Sequence, residues 1–155
     1  MSWKETAKVR GWALRYVFLL YFVKPRIVEV SAERCEVILP LNWRTRNHLR
    51  SMYFGALCIG ADVSGGLIAF HLASSMKANI SFVFKDLQAS FLKRAEDDVH
   101  FSCEDGPVIQ DLVRRTMETG ERQEALVHVT ARVPRKLGEE PVATFALTLS
   151  LKRRG

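Results

Sequence analysis

Between Asn47 and Gly66 the chain runs as an apolar stretch at helical spacing in which Asp62 is the one charged side chain beyond Arg50. A surface helix has one apolar stripe and one polar face, so a helix apolar on every side predicts a place inside a core. Asp62 is then an acid in a dry place. Dry carboxylates are costly unless partnered, so such a residue serves either chemistry or a structural ion pair or cap-like bond, and the sequence leaves both open. Small residues at Gly55, Ala56, Gly60, Ala61, Gly65 and Gly66 predict close approach of this helix to a sheet. Packing must then offset roughly 1 kcal/mol of helix propensity lost at each glycine.

The chain has 155 residues, which predicts one domain with a proper core. Its formal charge is +6, of which Lys152, Arg153 and Arg154 supply three, leaving a mild excess of +3 for the body. Such an excess suits an anionic small molecule, and no nucleic-acid motif accompanies it. Cys35, Cys58 and Cys103 are odd in number and lack metal-ligand spacing, which predicts neither a disulfide framework nor a metal site and fits a cytoplasmic protein. The apolar run Trp12 to Val23 is interrupted by Arg15, has no small-residue cleavage site after it and is short for a span. Asp62, the glycines and the neighbouring strand patterns favour a soluble core helix over a membrane span for Met52 to Ala73. The expectation is no membrane partner.

Ser2 and Glu5 have capping-box spacing, predicting one helix from Trp3 to before Pro25, with Trp12, Val17, Leu20 and Phe22 on its apolar side. From Ile27 the pattern changes to period two, with Cys35, Val37, Leu39 and Leu41 on one face of a strand, and residues 42–50 form a loop. Ile80 to Phe91 alternates with a slip of parity that a bulge at Lys85 and Asp86 reconciles. Val99 to Glu104 predicts a short strand, and Val108 to Met117 an amphipathic helix that Gly120 ends. Two clear strands follow at Ala125 to Val133 and Ala143 to Leu151. The fold class is therefore α+β: a curved antiparallel sheet of about five strands wrapped around a long buried helix.

The order strand, loop with Asn47, buried helix with Asp62 and then strands resembles the hotdog fold, and more narrowly the PaaI-like acyl-CoA thioesterases. The resemblance covers roughly Ile27 to Leu151, within a single domain made of an N-terminal helical extension (1–25) and a hotdog core (26–152). The family motif is an asparagine, a glycine three residues on, a histidine, two glycines and a helical acid. Asn47, Gly55 and Asp62 match the asparagine, the last glycine and the acid, while Arg50, Tyr53 and Phe54 replace the first glycine, the histidine and the other glycine. Leu87 to Asp98 resembles the family's strand and turn after the helix.

The resemblance implies an acyl-CoA thioester as substrate, coenzyme A as part of it rather than as a cofactor, and a homodimer or homotetramer whose protomers share sites. Asp62 is expected as base or nucleophile, Asn47 as an orienting group, and the amides around Phe54 and Gly55 as donors to the developing oxyanion. One protomer separates Asp62 from those donors by about 10 Å at 1.5 Å per residue, which is why the site needs two chains. Ser51 reads as the helix N-cap or an extra donor, and Tyr53 as packing or a donor. Lys93 and Arg94, with Arg132, Arg135 and Lys136, are candidates for a basic rim around coenzyme A phosphates. Alternative readings are a noncatalytic acyl or hydrophobic-ligand binder, which Tyr53 and Phe54 favour by narrowing the entrance, and a hydratase or dehydratase. No histidine holds a position that would suit the last.

Overall fold

The computed structural model describes all 155 residues. Its helices are α1 (Trp3–Tyr16), α2 (Phe18–Val23), α3 (Phe54–Ser75), α4 (Gly106–Thr119) and α5 (Pro134–Leu137). Its strands are β1 (Arg26–Val30), β2 (Cys35–Leu39), β3 (Ile80–Phe91), β4 (Val99–Cys103), β5 (Gln123–Arg132) and β6 (Pro141–Arg153). They form one antiparallel sheet in the order β1-β2-β4-β5-β6-β3, with α3 against its concave face in the hotdog arrangement.

Six strands stand where about five were expected, because the stretch after Ile27 is a hairpin. The Ser31 hydroxyl makes its turn, accepting from the amides of Glu33 and Arg34 at 3.2 and 3.1 Å. The bulge lies as expected between Phe84 and Leu87, and Asp86 there accepts from the Thr148 amide at 3.2 Å. Gly120 ends α4 in the left-handed conformation at φ 72°.

The N-terminal segment breaks into two helices at Val17, whose φ of −141° is not helical. A continuous helix from Trp3 to Val23 would run about 30 Å and carry its end past the sheet edge. Instead Val23 is buried in the core, and the Arg10 guanidinium donates to the carbonyls of Lys24 and Pro25, each at 3.0 Å. Trp12 and Val17, expected on the apolar side, are exposed, and the buried residues of α1 are Thr6 and Ala13.

The two sheet edges are treated differently. At β1 the Ser2 amide donates to the Ile27 carbonyl at 2.8 Å and the Thr6 hydroxyl accepts from the Ile27 amide at 2.9 Å, so the N-terminal segment covers that edge. At the other edge β3, twelve residues long, pairs with β6 alone. Val83, Leu87 and Phe91 on it are exposed. A long edge strand paired on one side only is a surface to which another chain can add, here with Lys85, Asp86 and the bulge interrupting its apolar residues.

Helix α3 is long and apolar enough by composition to cross a membrane, yet it packs into this core. Gly60 lies against the ring of Phe101, with no room for a Cβ between them. The expectation of burial on every side holds for half the helix. Eleven of its 22 residues are buried, while Phe54, Cys58, Ile59, Asp62 and Phe70 stay partly or largely exposed along one stripe.

Candidate functional site

The loop before α3 is fastened on several sides before any functional group is considered. The Asn47 amide donates to the Ser51 carbonyl at 2.8 Å, the Met52 amide to Ala95 at 2.8 Å and the Tyr53 amide to Thr45 at 2.7 Å. Thr45, buried, donates its hydroxyl to the Pro40 carbonyl at 2.6 Å. Arg50 sits in the left-handed region at φ 62°, where glycine is at ease and other residues are strained. The backbone thus keeps the shape that a glycine at this motif position would serve, although the side chain is an arginine.

Asn47 organises the loop as well as facing the cleft. Its carboxamide oxygen accepts from the amides of Leu49 and Ser51 at 2.9 and 3.2 Å, and its Nδ2 lies 3.1 Å from the Ser51 hydroxyl. One N–H of Nδ2 is left for a ligand. Ser51 is buried in this network rather than capping the helix: Tyr53 is the N-cap residue, and no side chain caps α3. The cap reading of Ser51 is therefore corrected, because its hydroxyl is drawn back to Asn47. The first intrahelical donor is the Leu57 amide, bonded to the Tyr53 carbonyl at 3.1 Å. The amides of Phe54, Gly55 and Ala56 are the orphan donors that any helix start presents, and together with the helix dipole they favour negative charge.

A cleft of about 590 Å³ opens at this point, lined by Asn47, Ser51, Tyr53 and Phe54 on one side and by Phe91, Lys93 and Arg94 on another. Tyr53 and Phe54 are about half exposed and line the cleft rather than fill it. The Tyr53 ring lies over Gly55, where a Cβ would strike it. Aromatic contacts run on from Tyr53 to Phe54 (4.8 Å between centroids), Phe91 (6.0 Å) and Phe145 (6.1 Å), giving the cleft an apolar wall.

Of the residues expected from sequence, Asn47, Ser51, Tyr53, Phe54, Lys93 and Arg94 meet here, with Gly55 beside them. Asp62 does not line this cleft. It lies two turns along α3, about 10 Å away by helical rise, half-buried on the uncovered stripe. Burial pushes its pKa above the usual carboxylate range, and no hydrogen bond or charged neighbour counters that effect. The ion-pair reading left open for Asp62 is not what the protomer contains.

The basic rim is mostly engaged. Lys93 pairs with Glu140 at 2.5 Å, Arg132 with Glu139 at 3.5 Å, Arg135 with Asp97 at 3.6 Å and Lys136 with Glu96 at 3.9 Å. Arg94 is exposed at the cleft without such a partner. Among the histidines, His100 contacts Glu36 at 2.8 Å and His128 contacts Asp105 at 2.9 Å, and neither lines the cleft. His48 and Phe91 line the cleft and were not expected there; for His48 the signal was its place beside Asn47. Cys35 and Cys103 face each other across β2 and β4, both buried, and desolvation lifts the Cys103 thiol to about 11 and Cys35 further still. They are inert apolar packing.

Residues 14–151 match the family described as a domain of unknown function, DUF4442. No curated protein matches the chain. Among solved structures, a Pseudomonas aeruginosa protein of unknown function, provisionally assigned as a thioesterase, superposes with a TM-score of 0.78 at 20% identity, covering 96% of each chain. A Shewanella oneidensis protein provisionally assigned as a thioesterase gives 0.77 at 11% identity, over 95% of this chain and 97% of that one. A thioesterase family protein from Silicibacter pomeroyi gives 0.69 at 20% identity, over 95% and 97%. Identities this low establish a shared fold.

Proposed function

The chain belongs to the DUF4442 family, and we propose that it binds an acyl-CoA thioester and hydrolyses it at a site shared between two protomers. The reading includes PaaI-like kinship and action in the cytoplasm. Its main support is the division of labour along α3: orphan amides, Asn47 and an apolar-walled cleft at the helix start, and a half-buried, unpartnered carboxylate two turns away. Neither half suffices alone. The uncovered β3 edge and the exposed stripe of α3 are where a second copy would bring its Asp62 to the first copy's cleft.

In the proposed reaction the thioester carbonyl oxygen faces the amides of Phe54 and Gly55. Asp62 takes a proton from water as the water oxygen bonds to the carbonyl carbon. The C–S bond then breaks, and the thiolate leaves as coenzyme A after receiving that proton. The acyl chain lies along Phe54 and Phe91, and Arg94 is the cation available to a phosphate. The test is free-thiol release from a panel of short, medium and aryl acyl-CoAs. Turnover that Asp62→Asn lowers by about 100-fold or more fits a general base; turnover indifferent to that change refutes the role. A ligand-binding role without turnover draws on the engagement of Asn47 by Leu49 and Ser51. Tight binding of acyl-CoA with no thiol release would select it.

A further inference from the structure

The N-terminal helices carry a surface that neither the core nor the cleft uses. Lys4, Lys8, Gly11 and Arg15 recur at the i, i+4, i+7, i+11 spacing of one helical stripe, and all are exposed. Trp3 and Leu14 flank the stripe on one side, and Trp12, tilted against Tyr16 at 5.6 Å between centroids, flanks it on the other. At the bend into α2, Phe18 and Leu19 project with 62% and 58% of their surfaces exposed. Beyond them Tyr21, 5.8 Å from Phe18, leads toward Trp43, which is 64% exposed and meets the edge of Phe22 at 5.7 Å, with Arg44 over the Trp43 ring at 4.6 Å; Phe22 itself is half-buried against the core. Trp43 and Arg44 belong to the loop that leads to Asn47.

Charge identifies the partner. Residues 1–28 hold six Lys or Arg against one acid, Glu5; Lys8 pairs with that acid at 2.9 Å, Arg26 pairs with Asp98 at 3.4 Å and Arg10 is held by the carbonyls of Lys24 and Pro25, which leaves a net positive surface with Lys4 and Arg15 outside any ion pair. Tryptophan and tyrosine interleaved with cations suit the headgroup level of a bilayer, where the rings sit at the boundary and the cations meet phosphates. We propose that α1, α2 and the Trp43–Arg44 corner form a docking face for an anionic phospholipid bilayer, holding the protein flat on the membrane with the cleft's loop at its margin. The segment is too short to span a bilayer, and lying on one is a different demand. Docking would place the cleft loop beside the phase into which amphipathic acyl chains partition.

Flotation of the full chain with vesicles tests this. Wild type should float with phosphatidylcholine vesicles containing about 30% phosphatidylglycerol, fail to float with phosphatidylcholine alone, and lose binding as salt rises. Each cation near an anionic surface contributes about fivefold in partitioning, so Lys4→Glu/Lys8→Glu/Arg15→Glu should lower binding by more than about 100-fold. Phe18→Glu/Leu19→Glu should also release the protein. All five positions are exposed, so both variants should keep the wild-type circular dichroism. No flotation of wild type, or equal flotation of wild type and both variants, overturns the proposal. So does a sedimentation experiment in which Phe18→Glu/Leu19→Glu shrinks the assembly while wild type ignores vesicles, since the face would then join copies of this chain.

Discussion

The closeness of α3 to the sheet predicts opposite outcomes for one substitution made at two glycines of the same helix. A Cβ added at Gly60 falls within the ring of Phe101, which is fully buried on the central strand β4 and packed against Phe145 at 6.4 Å. That ring has nowhere to swing, so Gly60→Ala incurs an overpacking cost of about 1–3 kcal/mol. At Gly65 the added carbon meets Phe84 at 3.4 Å and Val127 at 3.6 Å, ordinary contact with a half-buried ring that can yield. Both variants gain about 1 kcal/mol of helix propensity. Gly65→Ala should therefore be stabilised by up to about 1 kcal/mol, and Gly60→Ala should lie about 1–3 kcal/mol below it. Urea unfolding at matched protein concentration reads this as a lower midpoint for Gly60→Ala, by about 1 M when the m-value is 1–3 kcal/mol/M. Gly60→Ala unfolding at or above the Gly65→Ala midpoint would refute the packing argument.

Two further outcomes follow from the site. Burial raises the Asp62 pKa in the folded state, so its favourable contribution is complete below the unfolded value near 3.9 and is lost as pH rises through the higher folded value. Asp62→Asn should thus melt above wild type at pH 7, with the gap closing below about pH 4, and the acid limb of wild-type kcat/KM should lie above the ordinary carboxylate range; melting curves and rates against pH check both. Asn47→Ala removes bonds to Leu49 and Ser51, each worth about 1 kcal/mol. Trypsin should cut that variant's loop at Arg46 and Arg50 faster than wild type, while circular dichroism stays unchanged.

Periodicity made β5, β6 and α4 legible because each buries one face, and the slip of parity in β3 located its bulge. The hairpin between β1 and β2 was hidden because its turn contains no glycine, proline or asparagine and is closed by one serine, through its hydroxyl and through its amide on the Arg34 carbonyl. The break at Val17 is likewise unmarked in sequence, since it is set by where Val23 and Ile27 must reach. Uniform apolarity predicted full burial of α3, but composition cannot distinguish a stripe covered by the protomer's own sheet from one left uncovered within the protomer. At the site, Asn47, Tyr53 and Phe54 from the motif, Ser51 from its place before the helix, and Lys93 and Arg94 from the basic-rim reading all line one cleft. The cap reading misjudged Ser51, whose hydroxyl has a partner in Asn47 that spacing to the helix start does not reveal.

The shared site is tested most directly by mixing two inactive variants. Asn47→Ala protomers and Asp62→Asn protomers, each inactive alone, should form mixed dimers with one intact site after subunit exchange, restoring about a quarter of wild-type thiol release in an equal mixture. A mixture that stays as inactive as its components, with exchange verified by mass, would contradict a site built from two chains.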